Sequence, residues 1–219
     1  MTRPGPIRRR IRIVAAVLLA LGSSTASAGA QQYEPLAASV RAALYQAVSD
    51  AAAPALPIPD AGERAKWLGD MSRRLEKRIP DPAYRTELLT SIHYEATRAG
   101  LDPQLVLGLI QVESNFRKYA ISSAGARGYM QVMPFWIKVI GREDDNLFHL
   151  RTNLRYGCTI LRHYLDIEKG DLFRALGRYN GSLGKADYPN LVRAAWERNW
   201  PWTPARLAAG DSDSVSKPN

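Results

Sequence analysis

The sequence predicts an all-α protein, and three observations carry that reading. Apolar residues recur at three- and four-residue intervals in stretch after stretch, Asp-Pro and Asp-x-x-Glu pairs stand where helices would open, and no segment alternates as a strand would. With 219 residues, 46% hydrophobic and 23% charged, the chain suits one globular domain with extensions.

The first thirty residues differ from the rest. "RPGPIRRRIR" is basic without an acid, "IVAAVLLAL" is apolar, and "GSSTASAGA" is small and ends in A-x-A. That order is the pattern of a secretory signal peptide over 1–30, with cleavage after Ala28 or Ala30 fitting equally well. The apolar run is far shorter than the ~20 residues of a spanning helix, so we expect export to the periplasm without a stable membrane anchor. Losing five arginines lowers the formal charge from +9 to +4. No clustered basic face remains, which argues against nucleic acid as a partner.

Residues 31–84 form an N-terminal helical extension interrupted by the proline-rich "APALPIP". Residues 31–50 read as a weak amphipathic helix. From Asp60 to Arg78 the helix is stronger, with Asp60 and Glu63 as a capping box and Trp67, Leu68, Met71, Leu75 and Ile79 as its stripe. The catalytic domain is expected over 85–204. Asp81 and Pro82 open its first helix, which turns Leu88, Leu89, Ile92 and Ala96 inward and stops at Gly100. Asp102 and Pro103 open the next, "LDPQLVLGLIQVES". A loop follows over 117–128, then a long helix over 151–169. Asp171 caps a short helix through Leu176, "RYNGS" reads as a glycine-bearing loop, and a last helix covers 189–198. Residues 205–219 read as a polar, flexible tail.

Glu113 breaks this scheme. Val106, Leu109 and Ile110 precede it by seven, four and three positions, so the carboxyl shares the apolar face, while Gln104, Gly108, Gln111 and Asn115 recur opposite. An acid on an apolar face near the negative end of a helix favours its neutral form. Two loops supply further chemistry. "AGARGYMQ" offers a glycine turn at Gly128 followed by Tyr129, Met130 and Gln131, and "RYNGS" offers Tyr179 and Asn180. A protonated acid, amides and exposed aromatic faces are what cutting a neutral sugar polymer requires. Cys158 lies in phase with Leu154, Leu161 and Leu165 and reads as a small buried apolar residue. His93, His149 and His163 lack metal-ligand spacing, so no metal and no cofactor are expected.

"VESNF", "AGARGYMQVMP" and "RYNGS", in this order, resemble the Glu-Ser, G-L-M-Q and A-Y-N-A-G motifs of the soluble lytic transglycosylases of bacterial cell walls. The likeness runs from about residue 85 to 200 and includes "DNLFHLRTNLRYG". It implies a lysozyme-like helical fold acting on peptidoglycan glycan strands. It also implies Glu113 as the catalytic acid, Ser114 as the neighbour orienting carboxyl or substrate, and Gly128, Tyr129, Met130 and Gln131 as cleft residues. Tyr179 then holds the Glu113 carboxyl and Asn180 binds substrate. Tyr129 stands where the family has leucine; Arg178, Gly181 and Ser182 replace alanine, alanine and glycine. Two alternatives stay open. One is a goose-type lysozyme-like hydrolase using Asp144, Asp145 or Asp187 as a second acid. The other is a non-catalytic wall-binding or secretion-assembly module.

Overall fold

The computed structural model describes residues 31–49 and 56–203. The expected signal segment, the start of the proline-rich linker and the tail from 204 onward lie outside the described residues. Among those described, eight α-helices and no strands are found: α1 (Ala38–Ser49), α2 (Ala61–Leu75), α3 (Pro82–Arg98), α4 (Pro103–Ser114), α5 (Phe135–Ile140), α6 (Leu150–Ile167), α7 (Leu172–Asn180) and α8 (Asp187–Asn199). The all-α expectation is met. No described helix is long and apolar enough to cross a membrane.

The helix starts follow the caps. Asp60 accepts from the Glu63 amide, Asp81 from Ala83, Asp102 from Gln104 and Asp171 from Arg174, each satisfying an N–H that the first turn would otherwise leave unpaired. The ends differ more. The first helix begins at Ala38 rather than 31, and α7 runs through Asn180, so "RYNG" is a last helical turn closed by Gly181 in the left-handed conformation, not a loop. The reason is that Gly181 stops a helix here instead of opening a turn.

One core joins all of these. Trp67, Met71 and Leu75 of α2 share it with Leu88 and Ile92 of α3, Leu107 and Leu109 of α4, and Leu154 and Leu161 of α6, so no separate core lies behind position 84. At its centre Glu95 is fully buried and bonded by Arg98 at 2.9 Å and by Arg155 at 3.1 Å, which pins α3 to α6; Arg98 also donates to the Ala47 carbonyl of α1. A buried carboxylate is tolerable only when paired in this way.

The helix bearing Glu113 corrects one expectation. Its supposed polar face is covered over its first two turns: Gln104 is buried, and at Gly108 an added Cβ would lie 2.8 Å from the Trp196 backbone nitrogen, whereas Gln111 is half-buried and Asn115 exposed. The cover comes from α8, which crosses the helix there, and only a residue without a side chain admits that approach.

Candidate active site

Glu113 occupies the last turn of α4 and is 4% exposed. The next residues reverse the chain, with Asn115 and Phe116 both at positive φ. Burial pushes the Glu113 carboxyl up to about 8, an effect partly offset by a hydrogen bond that the Tyr188 hydroxyl donates to Oε1. Its other oxygen, Oε2, is buried without a protein partner. At neutral pH the group is therefore a carboxylic acid with a proton to give.

The partner of Glu113 is the main difference from expectation. Tyr179 does not hold the carboxyl; its hydroxyl donates to the Met130 carbonyl at 2.7 Å, while Tyr188, in the first turn of α8, takes the place at Glu113. Burial, followed by the nearby Glu113 charge, raises both phenols well above their ordinary range, so both remain donors. Tyr188 lies in "KADYP", whose only sequence signal is an aromatic residue opening an amphipathic helix. A contact spanning 75 positions leaves no local pattern.

The expected cleft residues are brought together, but their side chains build the site rather than line an open surface. Ser114 Oγ donates to the Tyr129 carbonyl at 2.8 Å and to Ile110, tying the loop to α4 instead of orienting the carboxyl. Gln131, at φ 49°, turns its amide onto the Gly128 and Ala120 carbonyls. Met130 packs its sulfur 3.9 Å from Cys158 Sγ. Tyr129 is buried, with its hydroxyl 2.7 Å from that of Tyr84. The exposed aromatic faces expected at Tyr129 and Tyr179 are thus absent, because each ring is drawn into the core through a hydrogen-bonded hydroxyl. Asn180 is buried with its Nδ2 on Ser182 and its Oδ1 unpartnered.

Asn153, which lay unassigned inside "LRTNLRYG", proves to be the clamp of this loop. Its Oδ1 accepts from the Met130 amide, and its Nδ2 donates to the Arg127 and Leu147 carbonyls, all at 2.8 Å. Gly128, at φ 75°, lies under that amide: an added Cβ would come within 2.3 Å of Asn153 Nδ2. Its role is to admit Asn153, not a ligand. Of the loop acids, Asp145 is bonded by Tyr156 and the Arg142 amide, and Asp144 and Asp187 are exposed.

Two buried oxygens, Glu113 Oε2 and Asn180 Oδ1, thus remain unsatisfied at the C-terminal ends of α4 and α7, both of which pack on α8. Folded proteins seldom leave such atoms unpaired; the protonated Oε2 suits an acceptor oxygen of a ligand, and the Asn180 oxygen suits a ligand hydroxyl or amide donor. Residues 90–195 match the model of the Transglycosylase SLT domain. Over these residues the chain is similar to a transglycosylase SLT domain. The transglycosylase of Enterobacteria phage PRD1 is 38% identical over 40% of this chain and 32% of its own length. Membrane-bound lytic murein transglycosylase C of Histophilus somni (strain 2336) is 52% identical over 44% of this chain and 31% of its own. That of Haemophilus influenzae (strain PittEE) is 52% identical over 21% and 13%. No solved structure gives a significant match. The chain spans about a third of the length of the first two relatives. All three expected motifs, and Tyr188, fall inside the matched residues.

Proposed function

We propose that the SLT domain cleaves the β-1,4 bond between N-acetylmuramic acid and N-acetylglucosamine in peptidoglycan without water, leaving a 1,6-anhydromuramyl end. The observation that carries the reading is the state of Glu113: buried, neutral at pH 7, held through Oε1 by Tyr188 and free at Oε2. Glu113 protonates the glycosidic oxygen as the bond to C1 breaks, and the muramyl N-acetyl group stabilises the cation at C1. The resulting carboxylate takes the proton of the muramyl 6-hydroxyl, whose oxygen closes onto C1. The proton given is recovered, and no water enters the balance. One acid suffices because the nucleophile is carried on the same sugar, where its proximity outweighs that of bulk water. Tyr188 positions the carboxyl, and the unpaired Asn180 oxygen receives a substrate hydroxyl or amide hydrogen. The names of the murein transglycosylase relatives and the export pattern of the first thirty residues support the bacterial envelope as the place of action, with glycan strands as the partner.

Mass analysis of muropeptides released from purified sacculi tests this. Products one water lighter than hydrolytic fragments are expected, and Glu113→Gln should abolish them by several orders of magnitude while the protein stays folded. Hydrolytic products instead would assign the chain to the muramidases.

A further inference from the structure

The segment before α1 is fastened to the fold at its start, although Gln32 to Pro35 are exposed. Gln31 is 4% exposed, and its side-chain amide is matched on both ends: Nε2 donates to the Gln131 carbonyl at 3.2 Å and Oε1 accepts from the Met133 amide at 3.1 Å. The same side chain lies beside the Tyr179 hydroxyl. Tyr33 sets its ring edge-on to Phe135 at 5.8 Å, and Glu34 pairs with Arg178 at 2.8 Å. The strap therefore spans from the loop bearing Met130 and Gln131 to the end of the helix bearing Tyr179. It also borders two cavities. Tyr33 and Leu36 border one of about 310 Å³ on the Phe135 side, and Gln32 and Glu34 border one of about 200 Å³ on the Arg178 side.

We infer that residues 31–36 are an internal occupant of the glycan groove, with the Gln31 amide filling a slot that takes the acetamido group of a substrate sugar. The slot offers one main-chain acceptor and one main-chain donor, which is the complement of a carboxamide and equally of an N-acetyl group. The fastening is light: neutral hydrogen bonds, an aromatic edge and an ion pair whose Glu34 carboxylate is half exposed. Tyr179, which has Gln31 beside it, is fully buried with the strap in place, so a glycan that reaches it must displace protein. Apparent sugar affinity is then the intrinsic affinity reduced by the fraction of molecules with the strap released.

This inference rests on the proposed glycan cleavage at Glu113 and on placing a sugar against the Gln131 carbonyl and the Met133 amide, and its test is independent of catalysis. Full-length protein and the Gln31→Ala/Glu34→Ala variant are titrated calorimetrically with tetra-N-acetylchitotetraose, which carries acetamido groups but no muramyl residue. The variant should bind about tenfold more tightly, equivalent to ~1.4 kcal/mol. A purely structural role for the strap could lower stability but could not tighten binding. An unchanged or weaker Kd, or no binding by either protein, overturns the inference. In the wild-type protein, saturating sugar should speed amide hydrogen exchange in residues 31–36, a measurement that stands if the variant folds poorly. Slower exchange would make the strap a lid over bound glycan and would likewise overturn the inference. Tighter binding by the variant with no anhydromuropeptides from sacculi would sustain the strap and sink the proposed reaction; the converse pair of results would do the opposite.

Discussion

Replacing Glu113 by Gln should stabilise the protein in a pH-dependent way that can be worked from the site. The folded carboxyl titrates near 8 and the unfolded one near 4.5. Below 4.5 both states hold the proton, and the group contributes no pH dependence. Between 4.5 and 8 the unfolded chain releases a proton that the folded chain keeps, so wild-type stability falls by about 1.4 kcal/mol for each pH unit. Above about 8 both are ionised and the loss stops growing. At pH 7 the accumulated penalty is about 3 kcal/mol, which a neutral amide of the same shape does not incur. For a chain of this size that corresponds to a melting temperature about 6–12 °C higher for the variant. Paired thermal melts at pH 4 and pH 7.5 are the assay. Near-coincident melts at pH 4 with a clear gain at pH 7.5 are expected. A difference that is the same at both pH values, or a variant less stable at pH 7.5, would refute the burial of a neutral Glu113.

Two further substitutions probe the support of that acid. Tyr188→Phe removes the donor that favours ionised Glu113, so the basic limb of the kcat/KM profile should move to higher pH; the lost bond to a charged partner should lower the rate by about 10–100-fold. An unmoved basic limb would remove Tyr188 from the site. Gly108→Ala drives a methyl into the Trp196 backbone and should cost about 1–3 kcal/mol in urea unfolding, a typical overpacking penalty. Because α8 also carries Tyr188, activity at a temperature where both proteins are folded should fall too. Wild-type stability would contradict the close crossing of α4 and α8.

What the sequence made legible is what is encoded locally. Asp60, Asp81, Asp102 and Asp171 each cap the helix they announce, and the phase of Val106, Leu109 and Ile110 is enough to bury Glu113. The errors fall where a second element decides. Gly108 looked like part of a polar face, yet it is a contact point, since small residues serve both uses. Ser114 and Gln131 are polar side chains whose partners are main-chain carbonyls, so residue type alone could not separate ligand binding from loop closure. Tyr179 and Tyr188 lie nine positions apart on successive helices. Only the packing of α7 and α8 determines which phenol reaches Glu113 and which reaches Met130. Asn153 and Gln31 act across 23 and 100 positions, respectively, with nothing near them in the chain to mark it.

The two oxygens of Glu113 are not equivalent, and this has a stereochemical consequence. A free carboxyl can exchange its proton between oxygens by rotation, presenting a donor on one side and an acceptor on the other. Here Oε1 is engaged as an acceptor from Tyr188, so the acidic hydrogen resides on Oε2, and it must leave from and return to that single atom. In the proposed reaction the leaving oxygen departs from the β face of C1, and the 6-hydroxyl can bridge only to that same face. Both proton transfers therefore converge on one point in space, visited first by the aglycone oxygen and then by the ring's own hydroxyl. The bridge from C6, which can close only on the face that the aglycone leaves, imposes retention at the anomeric centre without a covalent glycosyl-enzyme intermediate. It leaves no use for a second carboxylate across the sugar ring.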